Sequence, residues 1–376
     1  MVRFRSRSAC LRRALAFSFA LILPAQTGAH AGEVDRVEGL PASLRLDQVR
    51  ILGSHNSYKP FPDARAEHRI RTLAPDDWNG LAYGHPPLET QLSLGIRQIE
   101  IDVAPDPDGG RYAEPYLMTT PQARAEMTAP GAKVLHVAGV DTGTHCLTFR
   151  DCLTTLRRWS DAHPGHLPIT VLVNANTFDA VPGFRPFSAQ FDAATLDSLD
   201  RDILTVIGRD RMIVPDQVRG DAATLADAVR AHRWPTLGEA KGKLLFVFDA
   251  GAEDEDRYRQ GRPSLKGRAM FGYYPESAAE ASIFNIQDPR GQTDRIQQLV
   301  RKGFLVRTRT DANTAEARAK DYSRRDAAVA SGAQYISTDY YDGAPDPLGL
   351  GFRVTLPGGW WQCDPVTAPR CDPSAR

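Results

Sequence analysis

The chain has 376 residues with 46 basic and 46 acidic side chains, a formal net charge of zero. Five of the basic residues and none of the acidic ones fall in the first 31 positions, leaving about −5 on the remainder. A mildly acidic chain has no global attraction for nucleic acid or anionic membranes, so a phosphate-bearing ligand must be held by a local site.

The first predicted element is a leader. Arg3, Arg5, Arg7, Arg12 and Arg13 precede or open onto an apolar stretch over 14–24, and Ala29-His30-Ala31 supplies a small-residue cleavage site. This pattern predicts a signal peptide over residues 1–31, cleaved after about Ala31, and a secreted or periplasmic mature domain over 32–376. The apolar run is shorter than the roughly 20 residues a bilayer span needs, so no transmembrane anchor is expected. Cys10 lies before the run, which argues against a lipid anchor. A buried N-terminal helix is the competing reading, disfavoured by the charge asymmetry.

Beyond the leader, short strand-like runs alternate with helical patterns. The strand candidates are 49–55, 96–103, 133–137, 169–174, 244–249, 282–286, 304–309 and 334–338. Several are nearly continuous apolar runs, as expected of parallel strands covered on both faces. Helical periodicity is clearest over 149–162 (Phe149, Leu153, Leu156, Trp159), 195–207 (Leu196, Leu199, Ile203, Val206) and 295–302 (Ile296, Leu299, Val300). Gly165, Gly208, Gly303 and Gly332 follow helical stretches and read as C-terminal caps. Eight strands with helical connections predict an α/β fold, a (β/α)8 TIM-type barrel closed as a single domain. The inserts over 63–79 and 249–274 are then long loops at the C-terminal face of the strands, where barrel active sites form. An open doubly wound sheet is the alternative, but no glycine-rich phosphate loop follows the first strand.

Four cysteines follow the leader in two local pairs, Cys146 with Cys152 and Cys363 with Cys371. In an exported chain these read as short-loop disulfides; a zinc site is the competing reading, with only His145 nearby as a further ligand.

The chemistry-bearing residues fall at strand ends. His55 closes the first run in Gly53-Ser54-His55-Asn56-Ser57-Tyr58, Glu100 and Asp102 lie on the second, His136 on the third, and Asn174 ends the fourth. Alternation along a strand puts Glu100 and Asp102 on one face. Two adjacent carboxylates repel unless a cation joins them, and oxygen donors from Asn56, Glu100 and Asp102 favour calcium or magnesium over zinc. Each element alone has a bland reading, a hydrogen-bonded histidine or a solvated edge strand; their joint placement favours a site. Arg307 and Arg309, two apart on the seventh run, suit a phosphate or vicinal hydroxyls, or else an ion pair with Asp311. Asp249, Asp339 and Tyr340 at strand ends either shape a sugar pocket or serve the fold. His85 and His145 read as structural. Trp360-Trp361 either touches a lipid interface or packs over a barrel end.

The chain resembles the secreted bacterial calcium-dependent phosphatidylinositol-specific phospholipases C, within the phospholipase C-like phosphodiesterase barrels. The resemblance rests on Gly53–Tyr58, QLSLGIRQIEIDV at 91–103, KVLHV at 133–137 and TFRDCL at 148–153. FVFD at 246–249, RTRTDANT at 307–314 and GAQYISTDY at 332–340 extend it over nearly the whole mature chain. It implies a catalytic pair His55 and His136, with Asn56, Glu100, Asp102 and the fourth-strand residue as calcium ligands, magnesium being possible. Arg307, Arg309 and Tyr340 are read as substrate-binding. The implied reaction is attack of the inositol 2-hydroxyl on the phosphodiester of a phospholipid at a membrane or micelle interface, releasing diacylglycerol and a cyclic inositol phosphate. Glu100 or His55 takes the hydroxyl proton, His136 protonates the leaving alkoxide, and His55 is assigned to the phosphoryl oxygens. The fourth-strand position carries Asn174 where the family usually has a glutamate, so weaker metal binding is expected. A glycerophosphodiester phosphodiesterase is the nearest rival, but such enzymes typically follow the first histidine with arginine rather than Asn56. A non-catalytic lipid- or sugar-phosphate-binding barrel is the third reading.

Overall fold

Among the described residues the ring is formed by the parallel strands β1 (Val49–Ser54), β2 (Gln98–Ala104), β3 (Ile169–Ala175), β4 (Leu244–Asp249), β5 (Phe271–Gly272), β6 (Ile283–Asn285), β7 (Leu305–Arg309) and β8 (Tyr335–Thr338), and a further two-residue strand, Met212–Ile213, pairs parallel with the start of β4. β8 pairs with β1, and a single bridge from Tyr273 to Ile283 brings β5 beside β6 and closes the ring. This is the expected (β/α)8 architecture. The computed structural model describes residues 35–113, 118, 120–175 and 190–369, and these described residues lie in one compact unit. The leader therefore lies outside the described residues, as does Cys371.

The strands form because their apolar residues are covered twice. Ile99, Ile101 and Val103 on β2, and Val171 and Val173 on β3, are fully buried. Helices seal the outer faces: α1 (Leu88–Leu94), α2 (Phe149–Ala162), α3 (Ala193–Val206), α4 (Thr293–Arg301) and α5 (Ser323–Ser331). In α2 the predicted stripe of Phe149, Leu153, Leu156 and Trp159 is the buried face. Thr148 caps it by accepting from the Asp151 amide while Asp151 accepts from the Thr148 amide, a capping box. Gly303 has φ +87° after α4, and a Cβ there would meet the Val229 carbonyl at 2.2 Å, so the turn admits only glycine.

Two strand assignments are corrected. The run at 133–137 is not the third barrel strand: only Lys133–Val134 is extended, and it pairs antiparallel with β2 through Val103–Val134. The chain then turns back on itself at once, with the Val137 amide bonded to the Asp141 carbonyl at 2.8 Å and the reverse bond at 2.9 Å. β2 pairs directly with β3 over six residues instead, so Asn174 ends the third strand. The missing strand is Phe271–Gly272, inside the insert read as loop. That insert also holds a helix at Ala252–Arg259. Two residues are too few to carry an alternation signal.

Cys146 and Cys152 form the first expected disulfide, at the start of α2. Trp361 belongs to a short strand, Trp361–Cys363, antiparallel to the first half of β1 at the N-terminal end of the barrel. Its indole N–H donates to the Glu38 carbonyl and its ring stacks on Arg97, so the tryptophan pair packs over the barrel end opposite the strand tips.

Candidate active site

The turn after β1 aims successive side chains inward. Asn56 adopts φ +46°, a left-handed conformation asparagine tolerates, and its carbonyl accepts from the Lys59 amide at 3.0 Å. The Ser57 amide donates to the Glu100 carbonyl at 2.9 Å and the Ser57 hydroxyl accepts from the Glu100 amide, tying the turn to β2. β2, β3 and β4 run in register, so Asp102, Asn174 and Asp249 stand level at the strand tips. Above them opens a cavity of about 490 Å³ lined by His55, Asn56, Tyr83, Glu100, Asp102, His136, Asn174 and Arg309, with Asp76 and Asp77 at the rim. All the catalytic and metal residues read from the sequence thus reach one cavity. Tyr340 does not: its ring packs edge-on against Phe352 in the core.

Each histidine has a carboxylate at Nδ1. His55 Nδ1 is 3.1 Å from Asp339 Oδ1, at the end of β8, and His136 Nδ1 is 2.9 Å from Asp141 Oδ2 in the turn beyond it. Asp339 also meets Arg309 at 3.2 Å and His85 Nε2 at 3.5 Å. His85 is thereby wedged under the site, with Nε2 2.7 Å from the His55 carbonyl and Nδ1 3.2 Å from the Tyr341 hydroxyl. His145 in turn holds the His85 carbonyl at 2.8 Å, a supporting role as expected. Burial and the adjacent Arg309 guanidinium push the His55 pKa down to about 4, against the pull of Asp339 and Glu100, so its imidazole is neutral at pH 7. Arg309 pairs with Asp339 rather than with Asp311, which accepts from Thr310 and Thr338 instead.

The two carboxylates of β2 have different environments. Glu100 Oε2 accepts from Arg307 at 2.8 Å; burial pushes its pKa up, but Arg307, His55 and Arg309 together hold it below the ordinary value. Asp102 accepts from the Tyr58 hydroxyl at 3.0 Å and is pushed well above the usual carboxylate range by burial and by Glu100. Arg307 is wholly buried under the cavity floor, donating also to Ser337, Asn285 and Gln287. Asp249, which accepts from Asn285, is raised to about 7 by burial and the Glu100 charge.

Two buried acceptors, Asn56 Oδ1 and Asp102 Oδ1, have no hydrogen-bond donor among the described residues. Oxygen atoms left in that state beside a carboxylate fit a hard cation. Among the described residues no three histidine, cysteine, aspartate or glutamate side chains converge to hold a metal; the amides of Asn56 and Asn174 line the same cavity as Glu100 and Asp102. Asp339, Asp141, Lys59 and Tyr83 were not singled out for these roles by the sequence. Only Asp141 carried a local signal, five residues beyond His136 across a tight turn.

Paired, carboxylate-oriented imidazoles with buried arginines at a barrel mouth suit acid–base chemistry on a phosphodiester, the class of the barrel phosphodiesterases. Residues 44–365 match the family described as Phosphoinositide phospholipase C, Ca2+-dependent, and the chain belongs to it. It is accordingly a phosphoric diester hydrolase of the phospholipase C type. Among solved structures it is similar to a calcium-dependent phosphoinositol-specific phospholipase C from Pseudomonas sp., with TM-score 0.52 and 14% identity over 85% of this chain and 96% of that one. A Ca2+-dependent phosphatidylinositol-specific phospholipase C from Streptomyces antibioticus aligns with TM-score 0.50 and 18% identity over 80% and 96%. At these identities the two structures speak to the fold. No curated protein matches the sequence.

Proposed function

We propose that the cavity cleaves phosphatidylinositol-type phospholipids to diacylglycerol and a cyclic inositol phosphate, with His55 as general base and His136 as general acid. The observation that carries this is the pair of Nδ1–carboxylate contacts, His55 to Asp339 and His136 to Asp141, on two rings that line one cavity. Each contact fixes the orientation of its ring at the cavity. His55, kept neutral, takes the proton of the inositol 2-hydroxyl as that oxygen attacks phosphorus; His136 delivers a proton to the departing glycerol oxygen. Glu100 is the poorer base because Arg307 already holds its carboxylate. Arg309, with a buried Nε that has no hydrogen-bond partner among the described residues, suits the phosphoryl oxygens, which relieves His55 of that role.

Asn56, Asp102, Glu100 and Asn174 would hold the calcium ion, with magnesium the less suited to so irregular a donor set. When bound, such a cation lowers the pKa of a coordinated hydroxyl and offsets phosphoryl charge. Asn174 offers a carbonyl without a charge, so affinity is lower than with a carboxylate there. No described helix is long and apolar enough to cross a membrane. We read residues 1–31 as a removed leader and the mature enzyme as exported, which N-terminal sequencing of the natural protein tests.

The decisive experiment is product analysis with phosphatidylinositol, in calcium and in chelator. Calcium-dependent release of diacylglycerol and cyclic inositol phosphate is expected. Glycerol phosphate from glycerophosphodiesters, without cyclic inositol phosphate, would overturn the reading in favour of a glycerophosphodiesterase.

A further inference from the structure

We propose that Asp141, which joins the buried Lys59 to the His136 ring, is the positioning residue that makes His136 the proton donor of the reaction. The inference rests on the phospholipase reading above. Lys59 is completely buried, and its ammonium reaches three acceptors: the Leu81 carbonyl at 2.9 Å, the Tyr83 carbonyl at 2.8 Å and Asp141 Oδ2 at 3.3 Å. That same Oδ2 is 2.9 Å from His136 Nδ1. One carboxylate oxygen thus joins a buried cation to a ring that lines the cavity. The backbone fixes both ends, because the paired bonds between Val137 and Asp141 close the turn that carries the carboxylate back to the ring. At the other end, the two carbonyls anchor Lys59 to the cavity wall formed by Leu81 and Tyr83.

The charge on Asp141 decides what His136 can do. An ionised carboxylate accepts from Nδ1–H. The acid form of the ring then carries its second proton on Nε2, and giving that proton away leaves the Nδ1–H tautomer already hydrogen-bonded. A protonated Asp141 would donate to Nδ1 instead, leaving a neutral ring whose Nε2–H is far too weak an acid. Burial favours that wrong state; Lys59 and the ring itself oppose it and hold the Asp141 carboxyl below its ordinary range. In the proposed step the Nε2 proton passes to the glycerol oxygen as the P–O bond breaks with its electron pair. The bond from phosphorus to the inositol 2-oxygen forms, and His55 takes the 2-hydroxyl proton.

A purely structural role for the pair has an internal comparison. Lys133 and Asp106, also buried, form an ion pair at 3.2 Å, with Lys133 donating to the Ala129 and Gly131 carbonyls, but among the described residues no histidine contacts that aspartate. The two lysines are anchored alike; only one pair ends on an imidazole at the cavity.

The test compares two leaving groups: phosphatidylinositol, whose alkoxide needs protonation, and an inositol 4-nitrophenyl phosphodiester, whose phenolate departs without it. In Asp141→Asn, kcat on phosphatidylinositol is expected to fall by about 100-fold or more with KM within about twofold, while kcat on the aryl ester falls less than about tenfold. His136→Ala should show the same discrimination, and Lys59→Met a weaker version of it. Lys133→Met should leave the ratio between the two substrates at the wild-type value. Equal losses on both substrates in a folded Asp141→Asn variant, or no loss on either, overturn the assignment. If that variant does not fold, Lys59→Met decides by the same ratio. Failure of the wild-type enzyme to form cyclic inositol phosphate would instead sink the phospholipase reading itself.

Discussion

Arg307→Met probes whether the guanidinium and a bound cation share Glu100. The Arg307–Glu100 contact is 2.8 Å with both groups buried. At an effective dielectric of about 20 the attraction is roughly 6 kcal/mol before desolvation. Removing one partner of such a pair typically costs about 3–5 kcal/mol, because the other charge is left buried and alone. Urea unfolding in chelator should therefore show Arg307→Met less stable than wild type by about that much. Calcium supplies a replacement counter-charge, and a Glu100 released from the guanidinium becomes a better ligand. Saturating calcium should then stabilise the variant more than wild type; a tenfold gain in affinity would narrow the gap by about 1.4 kcal/mol. The double variant Glu100→Gln/Arg307→Met, which leaves no unpaired charge, should recover most of the chelator loss, and the double-mutant cycle isolates the pair. A gap that is the same with and without calcium would refute the idea that Glu100 serves both cations.

Asn174→Asp adds a carboxylate level with Asp102 and Asp249; it should tighten calcium binding by titration calorimetry about tenfold or more and lower stability in chelator, since three acidic groups then meet without a counter-ion. His166 lies at the opposite end of the barrel, 2% exposed between Ser160 Oγ and the Leu167 carbonyl, and burial depresses its pKa from 6.5 to about 4. Its folded value lies below the unfolded one, so the stability it contributes is complete above about pH 6.5 and is lost as pH falls toward 4. The loss has a ceiling of about 3 kcal/mol, and His166→Gln should flatten that limb of the unfolding curve. Reducing Cys146–Cys152, which closes a short loop at the α2 cap, should cost about 2 kcal/mol in thermal unfolding and leave the kcat ratio between the two leaving groups unchanged.

The sequence was most informative where local pattern and chemistry coincide. Period-two alternation put Glu100 and Asp102 on one face, apolar runs marked the doubly covered strands, and His55, His136 and Asn174 each sit at the end of such a run or just beyond one. It failed where pattern runs out. Phe271–Gly272 is too short to alternate, and Lys133–Val134 resembles a barrel strand although it folds back against β2. Asp339, Arg309 and Lys59 were visible as residues but not as partners.

Composition, periodicity and strand-end residues by themselves therefore determined the barrel class and which side chains face its mouth, because alternation and burial are local properties of the chain. Tertiary structure decided what each charge does. Ring closure sets β8 beside β1 and so gives His55 its aspartate from 284 residues away. The same closure carries Arg307 across 207 residues to Glu100. Those pairings help hold the Glu100 carboxyl below its ordinary range and orient the His55 ring, and neither follows from spacing along the chain.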